Sequence, residues 1–493
     1  MNFTTVDTLD KRKHADALVL PYWIEKKAAV PAASSGTIAQ HVKGAIDTGD
    51  FSGKEGEVAI LYAAGQPEKR IILLGLGAQD KITVEKLRRS YSNLTKACRQ
   101  KKLKELNILV PKIPALTADD VVRGVCEGLL LTNYVFDGLK HEGTKKEPTV
   151  LLSKITLIGV GKKTLVETKK FLGIAEGVYL ARNLVNGNAD DVTPQYLVHC
   201  AKELATTFSH VKTTIFDKKR LEKEKMGLIL AVARGSAVDP ALIIVEYKGD
   251  PKSKDHTVIV GKGVTYDTGG LNLKPTGSME TMKCDMGGAA TALGTIVAVA
   301  SNQMKVNVTA VIPTTENAIG KNSYKPGDVY TSYTGKTVEI GNTDAEGRLI
   351  LADALAYASQ HLKPTRIIDF ATLTGAMEIT LGAETTGIMS NHDALANSLM
   401  HAGDDTYERL CRLPLYEEYK DQLKSEIADI RNIGGRSAGS ITAAIFLQEF
   451  VGQTPWVHCD IAGTAYLSDA RRYNPKHGTG VGVRLMLSFL ENL

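Results

Sequence analysis

The sequence predicts an α/β protein of two or three domains. Its 493 residues exceed what one core ordinarily holds, at about 100–200 residues per domain. Short apolar runs closed by Pro or Gly alternate with stretches of helical spacing along the whole chain. One long helical stretch, from about 160 to 200, separates two such alternating regions. The expected division is a smaller α/β domain over 1–155, a connecting helical region over 156–195 and a larger α/β domain over 196–493. The larger domain should hold a central sheet that is largely parallel or mixed.

In the first region "ADALVLPYW", "EVAILYA" and "KRIILLGLG" read as strands, because β-branched and leucine runs end there in Pro or Gly. "VEKLRRSYSNLTKACRQKK" reads as an amphipathic helix with a basic, solvated outer face. "KKTLVETKKFLGIAEGVYLARNLVNG" is a long helix able to join two lobes. Beyond it "ALIIVEYKG", "HTVIVGKG", "NVTAVIP" and "TRIIDFATLTG" read as strands between helices. The glycine loops at 75–77 and 159–164 complete neither a P-loop nor a dinucleotide fingerprint, and read as tight turns after strands.

Composition narrows the class. A chain with 43% hydrophobic and 23% charged residues has the balance of a soluble globular protein. No run reaches ~18 apolar residues, so no membrane helix is expected. The N-terminal stretch lacks the apolar segment of a secretory signal. Six cysteines lie far apart with no C-x-x-C pair, and read as reduced, mostly buried thiols of a cytoplasmic protein. A net charge of +5 is too small to argue for a nucleic-acid partner.

Two stretches carry the chemistry. The first is "VIVGKGVTYDTGGLNLKPTGSMETMKCDMGGAATALG", residues 258–294. A buried-looking strand runs into Gly261, and Lys262, Asp267, Lys274 and Asp285 follow among glycines. Polar groups leaving the carboxyl end of a strand occupy the usual place of a ligand site in an α/β sheet. Asp285 precedes a helix of small residues, Ala289 to Ala300, where a lone Asp would ordinarily be a cap. The second stretch is "NTDAEGRL", residues 342–349. Read as extended, it turns Asp344 and Glu346 to one side. "RLILADALAYASQHL" then reads as a helix apolar around most of its circumference, and hence buried.

Ionised carboxylates at the entrance of a buried helix need positive charge. Asp267, Asp285, Asp344 and Glu346 carry four negative charges, which two divalent cations would balance, as in two-metal hydrolytic sites. No H-E-x-x-H occurs, which excludes that kind of single-zinc protease. Oxygen-rich ligation also suits manganese or magnesium.

At these residues the chain resembles the M17 leucyl aminopeptidases, the cytosol aminopeptidase family. The likeness rests on the unbroken "NTDAEGRL" and on "VGKGVTYDTGG…LKP…M…MKCDMGGAA", and extends through "ARNLVN", "IIDFATLTGA", "DIAGTA" and "GTGVGVR". It is looser in the N-terminal domain, which in the family resembles a macrodomain-like α/β fold; the larger α/β domain is the catalytic one. The resemblance implies metal ligands at Lys262, Asp267, Asp285, Asp344 and Glu346, with Asp267 and Glu346 bridging two ions and a main-chain carbonyl at Asp344. The ions it implies are zinc or manganese, with magnesium or cobalt as alternatives. It makes Lys274 and Arg348 the catalytic cations, Lys274 stabilising the oxyanion and Arg348 holding a bicarbonate as general base. Lys262 would then ligate as a neutral amine, its proton displaced by the metal's charge. The implied substrate pocket is Met282, Asn342, Thr372, Leu373, Gly375, Ala462 and Ala465. Thr268 and Ala465 stand where some members carry serine and a larger apolar residue.

The implied activity is hydrolysis of the N-terminal bond of peptides with a free, leucine-like N-terminal residue, in a cytoplasmic homohexamer whose sites face an interior cavity. Two other readings differ in class. A dinuclear phosphoesterase would recruit histidine, yet none of the 11 histidines lies inside either motif. A DNA-binding role would need a basic face from Lys86, Arg88, Arg89, Lys96, Arg99, Lys101, Lys102 and Lys104, and is not expected, because such charge runs are usually solvated.

Overall fold

Strands form where β-branched and leucine runs can be covered. In the computed structural model, which describes residues 1–34, 36–63, 66–139 and 149–493, these runs build two mixed sheets in two separate units. One unit comprises Met1–Ala175 with Ala470–Pro475, the other Glu176–Asp469 with Lys476–Leu493. The boundary falls inside the long helix Lys162–Asn186.

The first unit holds β1 (Asn2–Val6), β2 (Ala17–Glu25), β3 (Ala28–Pro31), β4 (Val58–Tyr62), β5 (Arg70–Gly75), β6 (Glu105–Leu109) and β7 (Lys154–Ile158). Their order is β1-β7-β6-β2-β5-β4, with β3 against β2; β4 and β3 run antiparallel to their neighbours and the rest are parallel. The helix Val84–Gln100 forms as the spacing predicts, and packs on Ala118–Thr132. Its basic residues do not share one solvated face. Arg88 is fully buried, with Nε and Nη2 on Glu127 Oε2 at 2.8 and 2.6 Å and Nη1 on Glu85 Oε2 at 2.5 Å. Arg89 answers the other oxygen of Glu85 at 2.8 Å, and the Tyr473 hydroxyl donates to Glu85 at 3.2 Å, which ties the short segment 470–475 to this unit.

The second unit is built on β8 (Val211–Phe216), β9 (Ala241–Lys248), β10 (Thr257–Gly261), β11 (Gly263–Asp267), β12 (Asn307–Asn317), β13 (Arg366–Ala371), β14 (Thr386–Ser390), β15 (Leu410–Arg412) and β16 (Trp456–Asp460). The order is β15-β14-β16-β13-β10-β12-β9-β8, with β11 beside β12. The four central strands β16, β13, β10 and β12 are mutually parallel, and antiparallel strands flank them. Val258, Ile259 and Val260 are all 0% exposed, the signature of a parallel strand covered on both faces. Helices Gly287–Ser301 and Glu346–His361 are buried over nearly their whole length, as their all-round apolar character requires. All six cysteines are free thiols, five of them buried. Among the described residues no helix is long and apolar enough to cross a membrane.

Close approach of Gly287–Ser301 to the sheet depends on missing methyls at Gly261 of the strand and Gly288 of the helix. A Cβ on Gly288 would lie 1.9 Å from the Phe370 carbonyl oxygen and 2.7 Å from the Lys262 nitrogen, both backbone atoms. Gly288→Ala gains at most about 1 kcal/mol of helix propensity, against an overpacking cost of about 1–3 kcal/mol. It is therefore expected to lower the denaturant midpoint. An unchanged or higher midpoint would show that the helix can lift off the sheet freely.

Candidate active site

The parallel strands bring their carboxyl ends to one edge, and the polar residues follow them there. Lys262 follows β10, Asp267 ends β11, Asn317 ends β12, Thr372 follows β13 and Asp460 ends β16. The two sequence stretches meet at this edge. Lys262 Nζ lies 2.8 Å from Asp285 Oδ1 and 2.9 Å from Glu346 Oε1, and donates to the Thr372 carbonyl at 2.9 Å. Lys274 Nζ lies 2.8 Å from Asp267 Oδ2 and 2.6 Å from Asp344 Oδ1. One oxygen from each of Asp267, Asp344 and Glu346 lies within 4.8 Å of the others.

The route to this convergence differs from the expected one. Residues 342–345 form a turn, with Ala345 N donating to Asn342 O at 3.3 Å, and Glu346 is the first residue of the helix. The carboxylates meet because a turn feeds a helix start, not because they alternate along an extended segment. Asp285 makes no cap bond to the helix after it. Its Oδ1 pairs with Lys262 Nζ and accepts at 2.7 Å from Thr372 Oγ1, while its buried Oδ2 has no hydrogen-bond partner among the described residues.

These side chains are short of positive charge. Four carboxylates face two ammonium groups. Burial, with repulsion from neighbouring carboxylates, raises Asp285 and Asp344 above the usual range and Glu346 to about 6. Burial opposes the charge on Lys262 and Lys274, but their carboxylate partners more than restore it and both are raised. Within this set Lys262 is an ammonium; losing its proton requires a stronger positive charge among the same oxygens. An unpartnered buried carboxylate oxygen and a convergent oxygen set with unanswered negative charge fit divalent cations.

Arg348 lies in the first turn of Glu346–His361 and is buried. Nη1 donates to the Asn432 carbonyl at 2.9 Å; among the described residues Nε has no partner and no carboxylate comes within ion-pair distance. Burial lowers its pKa to about 10, against the opposing pull of Glu346 and Asp460. Of the expected pocket residues, Thr372 and Ala465 come together. A Cβ on Gly287 would lie 3.2 Å from Thr372 Cγ2 and 3.3 Å from Ala465 Cβ, so those two side chains flank one point. Leu373 N and Ala462 N both donate to Asp460 Oδ1. Met282 O accepts from Asp285 N at 3.3 Å, Asn342 Oδ1 accepts from Asp344 N at 2.7 Å, and Gly375 opens the short helix Gly375–Leu381.

Supporting residues appear that the sequence did not single out. Asn317 Nδ2 donates to Asp267 Oδ1 at 2.8 Å and to Thr343 O at 3.0 Å, and Tyr324 OH donates to the same carbonyl at 2.6 Å. Asn432 accepts from Gly341 N at 2.8 Å and donates to Asn342 O at 2.7 Å. An Asn at a strand end carries no mark of such a role. Asp460, closing "WVHCD" ahead of "IAGTA", had the same strand-end position as Asp267 and could have been noticed by it.

Residues 179–487 match the catalytic domain of the cytosol aminopeptidase family, and residues 19–143 match its N-terminal domain. The chain belongs to the cytosol aminopeptidase family. It is 56% identical over its full length to a probable cytosol aminopeptidase of Protochlamydia amoebophila (strain UWE25), covering 99% of that protein. It is 48% identical to one of Chlamydia abortus (strain DSM 27085 / S26/3), across 99% of this chain and 98% of that one. Among solved structures it is similar to the bottromycin maturation enzyme BotP, including a complex with Mn, at a TM-score of 0.85 and 30% identity over 97% of this chain and 99% of that one. Membership makes the chain an aminopeptidase, a hydrolase of a metal-dependent family.

Gly347, inside "NTDAEGRL", has a role that only this geometry exposes. A Cβ there would meet Lys262 Cε at 2.5 Å and Nζ at 2.7 Å. The obstacle is a side-chain end, so the fold can yield, but Lys262 must leave its two carboxylates. Gly347→Ala is expected to keep its thermal midpoint and to lose about 10²-fold in activity, as a displacement near 1 Å commonly costs. Full activity in a folded Gly347→Ala protein would show that the position of Lys262 does not matter.

Proposed function

We propose that the chain hydrolyses the N-terminal peptide bond of peptides whose free N-terminal residue is leucine-like, in the cytoplasm and as a homohexamer. The observation that carries the reading is the set of four carboxylates, three of them buried and Asp344 half-buried, with too little positive charge around it. Lys262, Asp267, Asp285, Asp344 and Glu346 would hold two divalent cations, zinc or manganese. Such ions polarise a carbonyl and lower the pKa of water toward neutrality.

The chain's own residues supply the rest. Lys274, partly exposed beside Asp267 and Asp344, is placed to stabilise the negative charge that develops on the scissile carbonyl oxygen. Among the described residues Arg348 has a buried Nε with no partner and no carboxylate in contact, so that edge of its guanidinium, away from the Nη1 bond to Asn432, can hold an anion. A bicarbonate there would serve as general base. Thr372, Leu373, Ala462 and Ala465, with Met282, Asn342 and Gly375, would form the pocket for the N-terminal side chain. Family likeness supports the hexamer and the cytoplasmic location.

An active preparation is expected to contain about two divalent ions per chain and to lose activity on chelation. It should cleave leucine amide and spare its N-acetyl analogue and phosphate esters. Elemental analysis finding no metal in active protein, or efficient cleavage of the blocked substrate, would overturn the reading.

Arg348→Ala is expected to keep metals and fold and to lose about 10²–10⁴-fold in turnover, the range of general-base catalysis. After degassing, added bicarbonate should speed the wild type and leave the variant unchanged. A variant that answers bicarbonate as the wild type does would make Arg348 a structural cation.

A further inference from the structure

We propose that Asp460 is a positioning residue of the reaction, whose carboxylate locks the two loops 372–375 and 461–465 into one arrangement and so sets the shape of the substrate pocket. The proposal rests on the reading of those loops as that pocket.

Asp460 ends β16 and stands opposite Ala371, the last residue of β13, in parallel register. The two loops therefore leave neighbouring strand ends side by side. Asp460 is 0% exposed, and among the described residues every hydrogen bond its carboxylate accepts comes from these loops. Oδ1 accepts the Leu373 N–H at 3.1 Å and the Ala462 N–H at 3.2 Å; Oδ2 accepts from Thr374 Oγ1 at 2.6 Å. Among the described residues no cation lies within ion-pair distance of it, so it is not half of a structural salt bridge.

Proton counting makes the arrangement directional. Thr374 Oγ1 has one hydrogen, which goes to Asp460, and it accepts from Met377 N at 3.2 Å. The Ser440 hydroxyl, 2.6 Å away, must then be the donor to Thr374. A chain of bonds runs from Ser440, at the start of helix Gly439–Gln448, through Thr374 into the carboxylate. Two backbone donors from different loops share the other oxygen. Only an acceptor-only group can close both chains at once, which is what an ionised carboxylate is.

The test compares kcat/KM for leucine amide and alanine amide, with metal content per chain measured alongside. Asp460→Ala is expected to keep its metals and to shift the leucine-to-alanine ratio by about tenfold, the scale on which an apolar pocket discriminates by side-chain size. Asp460→Asn, which keeps one acceptor oxygen for the two N–H groups, should lie nearer the wild type. A merely structural role lowers the active fraction and scales both substrates alike, so an unchanged ratio overturns the proposal. If Asp460→Ala does not fold, Thr374→Val carries the same comparison, because it takes the hydroxyl, with its bonds to Met377 and Ser440, from Oδ2 and leaves the carboxylate and the two N–H groups on Oδ1 in place. Ala465→Leu is the control on the pocket itself. A ratio unchanged there overturns the pocket reading and this proposal with it; a ratio that moves there but not in the Asp460 or Thr374 variants overturns this proposal alone.

Discussion

Negative charge held out of water without an equal positive charge is the constraint on which the catalytic unit is organised. Asp267, Asp285, Asp344 and Glu346 converge on two ammonium groups at the carboxyl ends of parallel strands. Such a cluster is costly unless each oxygen is answered. Much of the nearby structure serves that need. Thr372 donates to Asp285, Asn317 to Asp267, and Gly347 leaves space for the Lys262 side chain. What remains unanswered, above all Asp285 Oδ2, is the part that suits a cation.

The first unit offers a contrast from the same physics. Its buried cluster has Arg88 and Arg89 against Glu85 and Glu127, with Arg123 Nε 3.6 Å from Glu127 and the Tyr473 hydroxyl on Glu85. Both carboxylates there face guanidinium groups. That cluster joins two helices and a distant segment of chain. Buried charge marks a candidate site only where the charges fail to cancel among themselves.

The catalytic edge is held at two distances from the chemistry. Carboxylates and lysines make the centre, and a ring of short polar side chains behind them fixes the loops that carry them. Asn317, Tyr324 and Asn432 hold the turn 342–345 by its backbone carbonyls and amides. Asp460 does the same for the loops after β13 and β16. Loops have no ladder of their own to pair their backbone groups, so side chains from neighbouring strand ends supply the partners.

The sequence by itself determined the α/β alternation, the buried strand into Gly261, the buried helix after Glu346 and the charge balance that called for metals. These are local: periodicity, turn residues and charge counts need only neighbours along the chain. The resemblance then implied which residues would hold metal and which two cations would act in catalysis. Only the tertiary structure decided how Asp344 and Glu346 come together, since a turn and a strand share the same polar composition. It also decided that Arg88 lies inside rather than on a basic surface, because the amphipathic pattern of one helix does not reveal that a second helix brings Glu127 to it. And it revealed Asn317, Asn432 and Asp460, most of whose partners lie tens of positions away in the chain: a hydrogen bond is set by where strand ends meet, and no spacing along the sequence records that.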